Sequence, residues 1–214
     1  MCSIIGSFSV ERLITNCKLN EYRGQYSHSI AWYDTINNEF RRIIRGMGPL
    51  KYEDITDLKD NSIYYIVHMQ APTFEPQDAP MIHPAELGDT KLYHNGILKN
   101  DIIEKLQLKY NVYDSWDTVL LLHLVNDVDG NLSAVDGSFS CLYYDGKNLN
   151  LFRNEIAPMF INGENFDISS TKFPGGHSLP ANRMFKFDPL DQRLTEQKAF
   201  ATFNTPYKLK ARSS

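Results

Sequence analysis

What most limits the fold of this chain is the spacing of its short apolar runs. Ten segments read as strands: "SIIGSF", "HSIAWYD", "FRRIIRGMG", "SIYYIVHMQ", "KLYHNGIL", "GSFSCLYYD", "NLNLFRN", "PMFING", "FDISST" and "RMFKFDP". Several alternate apolar and polar residues, the period at which a pleated strand turns successive side chains to opposite faces. Turn-forming pairs separate them, among them Asn37-Asn38, Asp145-Gly146 and Asn162-Gly163, and predict consecutive antiparallel hairpins in the second half. Helical signals are fewer. "ERLITNCKL" brings Leu13, Ile14 and Cys17 to one side, and "LKNDIIEKLQLKY" places Ile102, Ile103 and Leu106 at helical spacing. "DSWDTVLLLHLVNDV" opens on capping residues ahead of a long apolar run. Many strands with two or three helices predict an α+β fold in which helices cover sheets. The proline-rich segment from Pro72 to Gly88 reads as a long surface loop, a kind that is often functional.

At 214 residues the chain suits one domain with a sizeable core, expected over residues 2–205 with a frayed tail at 206–214. The formal charge of −4 supplies no basic footprint for nucleic acid and no polybasic patch for a membrane. No apolar run approaches a membrane span, and the N-terminus lacks a basic-then-apolar signal, so a soluble cytoplasmic protein is expected. Three cysteines, Cys2, Cys17 and Cys141, are an odd count without metal-like spacing, which favours reduced thiols. The six histidines show no ligand-like pair spacing, and His123 falls in an apolar helical run, so neither metal nor cofactor is expected.

Five stretches carry possible chemistry, each with a plain structural reading beside it. Cys2 directly follows Met1 and is small enough for that methionine to be removed, which would put a thiol and a free α-amine on one carbon. It is equally a small apolar residue starting a strand. Arg23-Gly24 reads as a charged turn entering a strand. The strand "YIVHMQ" delivers His68 and Gln70, then Thr73, to the proline-rich loop. Asn95-Gly96 is either a type I′ hairpin turn or an oxyanion hole, with the Asn amide and the Gly backbone N–H as donors. Asp117 suits the first turn of a helix, and it also suits a substrate ammonium group.

Taken in order, Cys2, Tyr22-Arg23-Gly24, His68 to Thr73, His94-Asn95-Gly96, Asp117-Thr118 and Gly137-Ser138-Phe139 resemble class II glutamine amidotransferase domains, over residues 2 to about 190. The resemblance implies a four-layer α-β-β-α sandwich of two antiparallel sheets, of the N-terminal-nucleophile hydrolase type. It implies Cys2 as the nucleophile that cleaves the glutamine side-chain amide through a γ-glutamyl thioester. Asn95 and Gly96 then serve as oxyanion donors, Arg23 orients the terminal amine, Asp117 binds the substrate ammonium, and Gly137 to Phe139 are structural. His68 and Thr73 match the family motif His-x-Arg-x-x-Thr.

The chain departs from that motif at Gln70, which stands where the family's arginine pairs with the substrate carboxylate. Glutamine brings no charge and no planar fork. Arg153 and His83 are the candidate replacement cations. The family's synthase half has no counterpart in the sequence, which implies a separate acceptor protein for the ammonia. Two alternatives stand beside glutamine hydrolysis: hydrolysis of other γ-glutamyl amides, suggested by Gln70, and a catalytically silent binding subunit.

Overall fold

Two antiparallel sheets face each other, and the alternation along their strands decides what lies between them. The computed structural model describes residues 2–71, 81–114 and 116–202. Thr73 and the 206–214 tail lie outside these. In chain order the elements are β1 (Ser3–Ser7), α1 (Val10–Asn20), β2 (Ser27–Asp34), β3 (Glu39–Met47), β4 (Ile63–Gln70), β5 (Ala85–Leu87) and β6 (Thr90–Leu98). They continue with α2 (Asn100–Tyr110), α3 (Asp117–Asn126), β7 (Gly137–Tyr144), β8 (Leu149–Arg153), β9 (Phe160–Asn162), β10 (Ile168–Ser169), β11 (Gly176–Ser178), β12 (Arg183–Asp188) and β13 (Arg193–Ala199). One sheet has the order β11-β9-β10-β1-β4-β2-β3 and the other β13-β12-β8-β7-β6-β5. All ten strand-like runs of the sequence appear as strands.

Three apolar layers hold the sheets and helices together. Ile4, Ala31, Tyr33, Tyr64 and Ile66 of the first sheet meet Tyr93, Leu142, Leu151 and Phe187 of the second between the sheets. Their sequence neighbours Ile5, Ile30, Trp32, Tyr65 and Val67 point the other way and pack on Leu13 and Cys17 of α1. On the outer face of the second sheet, Leu92, Phe139, Cys141 and Phe152 meet Leu120, Leu121 and Leu124 of α3 and Ile102 and Leu106 of α2. This is the four-layer α-β-β-α arrangement, with one helix on the first sheet and two on the second.

The helices end where local chemistry says they should. Ser9 caps α1, its hydroxyl accepting from the Arg12 N–H at 3.3 Å, with Glu11 in the first turn and Lys18 in the last to match the helix dipole. Asn111 ends α2 in the left-handed conformation that asparagine tolerates. α3 is apolar on most of its circumference because it is covered twice, by the sheet and by α2.

Two expectations are corrected. The Pro72–Gly88 segment is not a surface loop throughout: Ile82, His83 and Ala85 are buried, and β5 pairs with β6. The late strands are not one run of hairpins either. β9, β10 and β11 join the first sheet, and β12 returns to pair with β8 in the second. Among the described residues, no helix is long and apolar enough to cross a membrane.

Ile66 sits fully buried at the centre of the inter-sheet layer. Ile66→Ala is expected to lower unfolding free energy by about 2–5 kcal/mol through lost burial and the cavity left behind. The shift of the urea midpoint measures it, and a shift under about 0.5 kcal/mol would show that the two sheets do not share this core.

Candidate active site

β1 is the middle strand of its sheet, bonded to β4 on one side and β10 on the other. Cys2 immediately precedes it and, two residues from Ile4, turns toward the space between the sheets. The residue is 7% exposed, and its thiol donates to the Ala71 carbonyl at 3.7 Å, just past the end of β4. The Arg23 Nε donates to the Cys2 carbonyl oxygen at 3.0 Å. Gly24 allows this approach: a Cβ there would lie 2.6 Å from Gln70 N and 2.6 Å from Met69 C, so only glycine can lie flat against the end of β4. Burial pushes the Cys2 thiol pKa up, the Arg23 charge pulls it down, and the Asp117 charge raises it further.

Asn95 and Gly96 lie within β6, opposite Ser140 and Phe139 of β7. The hairpin reading of this pair is therefore wrong, because the strand runs on to Leu98 with its ladder intact. A Cβ on Gly96 would stand 1.9 Å from the Ser138 carbonyl oxygen and 2.7 Å from His94 Nε2, so no side chain fits. Asn95 is 3% exposed, and among the described residues its Nδ2 has no hydrogen-bond partner. Leaving a buried amide donor unmatched costs about 1–3 kcal/mol, and such groups in native structures call for an explanation such as a catalytic role.

Cys2, Arg23, Asn95, Gly96 and Ser138 share one cavity of about 150 Å³, whose remaining wall is Ile97 and the stretch Ile156, Ala157 and Pro158. Asn154 shapes that stretch. Its Oδ1 accepts from the backbone N–H groups of Phe139, Ile156 and Ala157, and its Nδ2 donates to the Gly137 carbonyl. Sequence reasoning missed this wall. Asn154 stands at no turn or motif that would have singled it out. Ser138 was in view, but only as part of a structural segment.

Arg153 is not a substrate cation. It donates to the carbonyls of Leu179, Asn154 and Ala157 and to the Ser178 hydroxyl, and so helps to hold the same wall. His83, the other candidate, lies against Gln70. Its Nδ1 donates to Gln70 Oε1 at 3.0 Å, and Gln70 Nε2 donates to the Met81 carbonyl at 3.1 Å. His83 Nε2 is 3.2 Å from Thr118 Oγ1, which is also 3.2 Å from His94 Nδ1. His68 stacks on His83 with ring centroids 3.9 Å apart, and its Nε2 reaches the His94 carbonyl at 3.3 Å. Asp117 uses Oδ2 to accept the Leu98 N–H at 3.0 Å at the start of α3, and its Oδ1 lies 3.8 Å from His94 Nδ1. His68, Gln70 and Asp117 thus belong to a buried polar cluster and do not line the Cys2 cavity. Among the described residues no group of three or more His, Cys, Asp or Glu side chains is arranged to hold a metal ion.

No family model matches the chain. It is similar to the glutamine–fructose-6-phosphate aminotransferase (isomerizing) of Vibrio vulnificus, with 32% identity over 136 residues, 58% of this chain and 22% of that protein. The enzyme of the same name from Wigglesworthia glossinidia brevipalpis is 28% identical over 186 residues, 75% of this chain and 30% of that protein. The chain therefore spans under a third of the length of these relatives. Among solved structures, the glutamine phosphoribosylpyrophosphate amidotransferase of B. subtilis superposes with a TM-score of 0.65 at 17% identity, over 92% of this chain and 49% of that one. At that identity the likeness is one of fold, and the fold is the one the sequence resemblance implies.

The histidine cluster makes stability depend on pH. Burial holds the His68 pKa down at about 3 and that of His83 well below its usual range. Unfolded histidines take up protons near pH ~6.5 while these native ones do not, so the unfolded state binds more protons and stability falls as pH falls. Each such group contributes a loss of about 1.4 kcal/mol per pH unit below pH ~6, continuing for His68 toward its folded pKa of about 3. Denaturant midpoints at pH 7, 6 and 5 should drop in sequence, and drop less in His68→Gln. A flat profile in both proteins would contradict the burial of neutral histidines.

Proposed function

We propose that this chain, which resembles class II glutamine amidotransferase domains in sequence and in fold, is an N-terminal cysteine amidohydrolase that releases ammonia from the side-chain amide of glutamine or a glutamine derivative. The observation that supports it most is the unmatched Asn95 Nδ2, held in the wall of the same small cavity as the Cys2 thiol. Removal of Met1 gives Cys2 a free α-amine. That amine titrates near pH ~7.7–8.0, close to a free thiol at ~8.5, so it can take the thiol proton at little cost. The thiolate attacks the amide carbon, and Asn95 Nδ2 with the Gly96 N–H receives the oxygen that gains charge. Ammonia leaves with the transferred proton, and water cleaves the thioester to a carboxylic acid. Arg23, bonded to the Cys2 carbonyl, holds the nucleophile's own backbone and so positions the amine. Asp117, which the resemblance gives to the substrate ammonium, is held by the Leu98 N–H outside the cavity wall and takes no part in these steps. The ammonia passes to an acceptor activity outside the described residues, on a partner protein.

Intact mass before and after 6-diazo-5-oxo-norleucine, an alkylating agent shaped like glutamine, tests the nucleophile. The expected result is loss of Met1 and one adduct on Cys2. Met1 retained on every molecule would leave Cys2 without its amine and end the catalytic reading. Asn95→Ala should lower kcat by about 10²–10³ with little change in the urea midpoint. The kcat/KM profile should rise with pH through about 7.7–8.0, because only the deprotonated amine accepts the thiol proton. A profile flat from pH 6 to 9 would remove the amine from the mechanism.

A further inference from the structure

We propose that Asn154 is a positioning residue for amide cleavage: its side-chain amide takes the place of the next peptide of β8, and so fixes both the apolar wall of the Cys2 cavity and the strand that holds Ser138 against Gly96. This rests on the amidohydrolase reading above and adds a residue to its machinery.

β8 leaves the second sheet at Arg153, its last residue paired with β7, opposite Ser140. At the next position the Asn154 N–H donates to the Phe139 carbonyl at 3.0 Å, as a ladder residue does. In an antiparallel pair that bond is normally returned to the main-chain carbonyl. Here the Phe139 N–H donates to Asn154 Oδ1 at 3.2 Å, and Asn154 Nδ2 donates to the Gly137 carbonyl at 2.8 Å. A side-chain amide carries the donor and acceptor of a peptide, so it continues the ladder while the main chain turns away. The freed Asn154 carbonyl accepts from Arg153 Nη1 at 3.0 Å.

The turn so released becomes the wall of the cavity. Asn154 Oδ1 also accepts the N–H groups of Ile156 and Ala157 at 3.2 Å each, and Arg153 Nη1 donates to the Ala157 carbonyl at 3.3 Å. On its other side Asn154 grips β7 at Gly137 and Phe139, the two neighbours of Ser138. The Ser138 Oγ accepts the Ile97 N–H at 3.1 Å, and its carbonyl oxygen stands 1.9 Å from where a Gly96 Cβ would be. One side chain, 1% exposed, therefore sets two sides of the cavity: the wall at Ile156 and Ala157, and the backbone of the Gly96 donor. Charge on the substrate oxygen develops only in the transition state, so a displaced Gly96 N–H acts on kcat more than on KM. A side chain that only held the fold together would act on the folded fraction and on access to the thiol instead.

Turnover of glutamine and of γ-glutamyl-p-nitroanilide by the N-terminally processed protein tests this in Asn154→Asp, Asn154→Ala and Ser138→Ala. The rate of Cys2 alkylation by iodoacetamide, located by peptide mass, and the urea midpoint are measured on each. Asn154→Asp keeps the three N–H bonds and loses only the donor to Gly137, so kcat should fall about 10-fold, against about 10²-fold for Asn154→Ala. Ser138→Ala, which frees the Ile97 N–H, should also cost about 10-fold. In Asn154→Asp and Ser138→Ala, KM should stay within about 3-fold and the alkylation rate within about 2-fold, because the thiol and the ground-state contacts are untouched. Those two variants decide the matter where Asn154→Ala does not fold. Unchanged kcat in both, or losses that only follow the urea midpoint and a faster alkylation, would overturn this inference and leave the amidohydrolase reading intact. A wild type that cleaves neither compound would overturn both.

Discussion

The geometry around Cys2 depends on the double ladder that holds β1. An edge strand at the chain's beginning would let its first residues fray. Here the strand lies between β4 and β10, with Ser3 opposite Met69 and Ile5 opposite both Val67 and Ser169. A slip of one residue would turn Ile4 out of the inter-sheet core and Cys2 away from its cavity. The apolar core therefore sets the register, and the register aims the thiol. Placement of the thiol and folding stability are one constraint in this strand.

The second sheet supplies the other half of the cavity by the same means. Asn95 points between the sheets because Tyr93, two residues earlier, is a core residue of that layer. Gly96 follows with no side chain, at a point where the Ser138 carbonyl fills the space a Cβ would need. The Cys2 thiol and the Asn95 amide belong to different sheets, so the distance between them is set by the inter-sheet packing of residues such as Ile66, Tyr93 and Leu142. That coupling ties the shape of the cavity to the packing of the inter-sheet core.

Much of this could be read from the sequence, for a definable reason. Alternating runs such as "HSIAWYD" and "SIYYIVHMQ" bury both faces against different layers, and their strong patterns gave strands almost to the residue. β13 went unread because its sequence RLTEQKA is a mostly exposed edge with no apolar face to detect. β5 and β11, at three residues each, are too short to show a period. Which strand enters which sheet was not legible, because both sheets draw on the same residue types. At the site, Cys2, Arg23, Asn95 and Gly96 were singled out by type and order, and the fold brings those four together. The bond between Gln70 and His83 was beyond reach, since it links the end of a strand to a segment that looked like a solvated loop. Asp117 does stand in the first turn of α3, as its helix-start reading expects, while its carboxylate accepts the N–H of Leu98 at the end of β6.

The central place of β1 also sets an order of events during synthesis. The Ile4 N–H is satisfied by Ser170, 166 residues further along the chain, so that contact closes only after nearly the whole domain has been translated. At about 5–20 residues per second, roughly 8–33 seconds pass between the emergence of one partner and of the other. Throughout that interval β1 can pair with β4 on one side only, and its β10 side stays open. Once β10 docks, that side is paired as well. The topology thus closes the first strand of the chain with one of the last, and the ladder that carries Cys2 is complete only when the fold is.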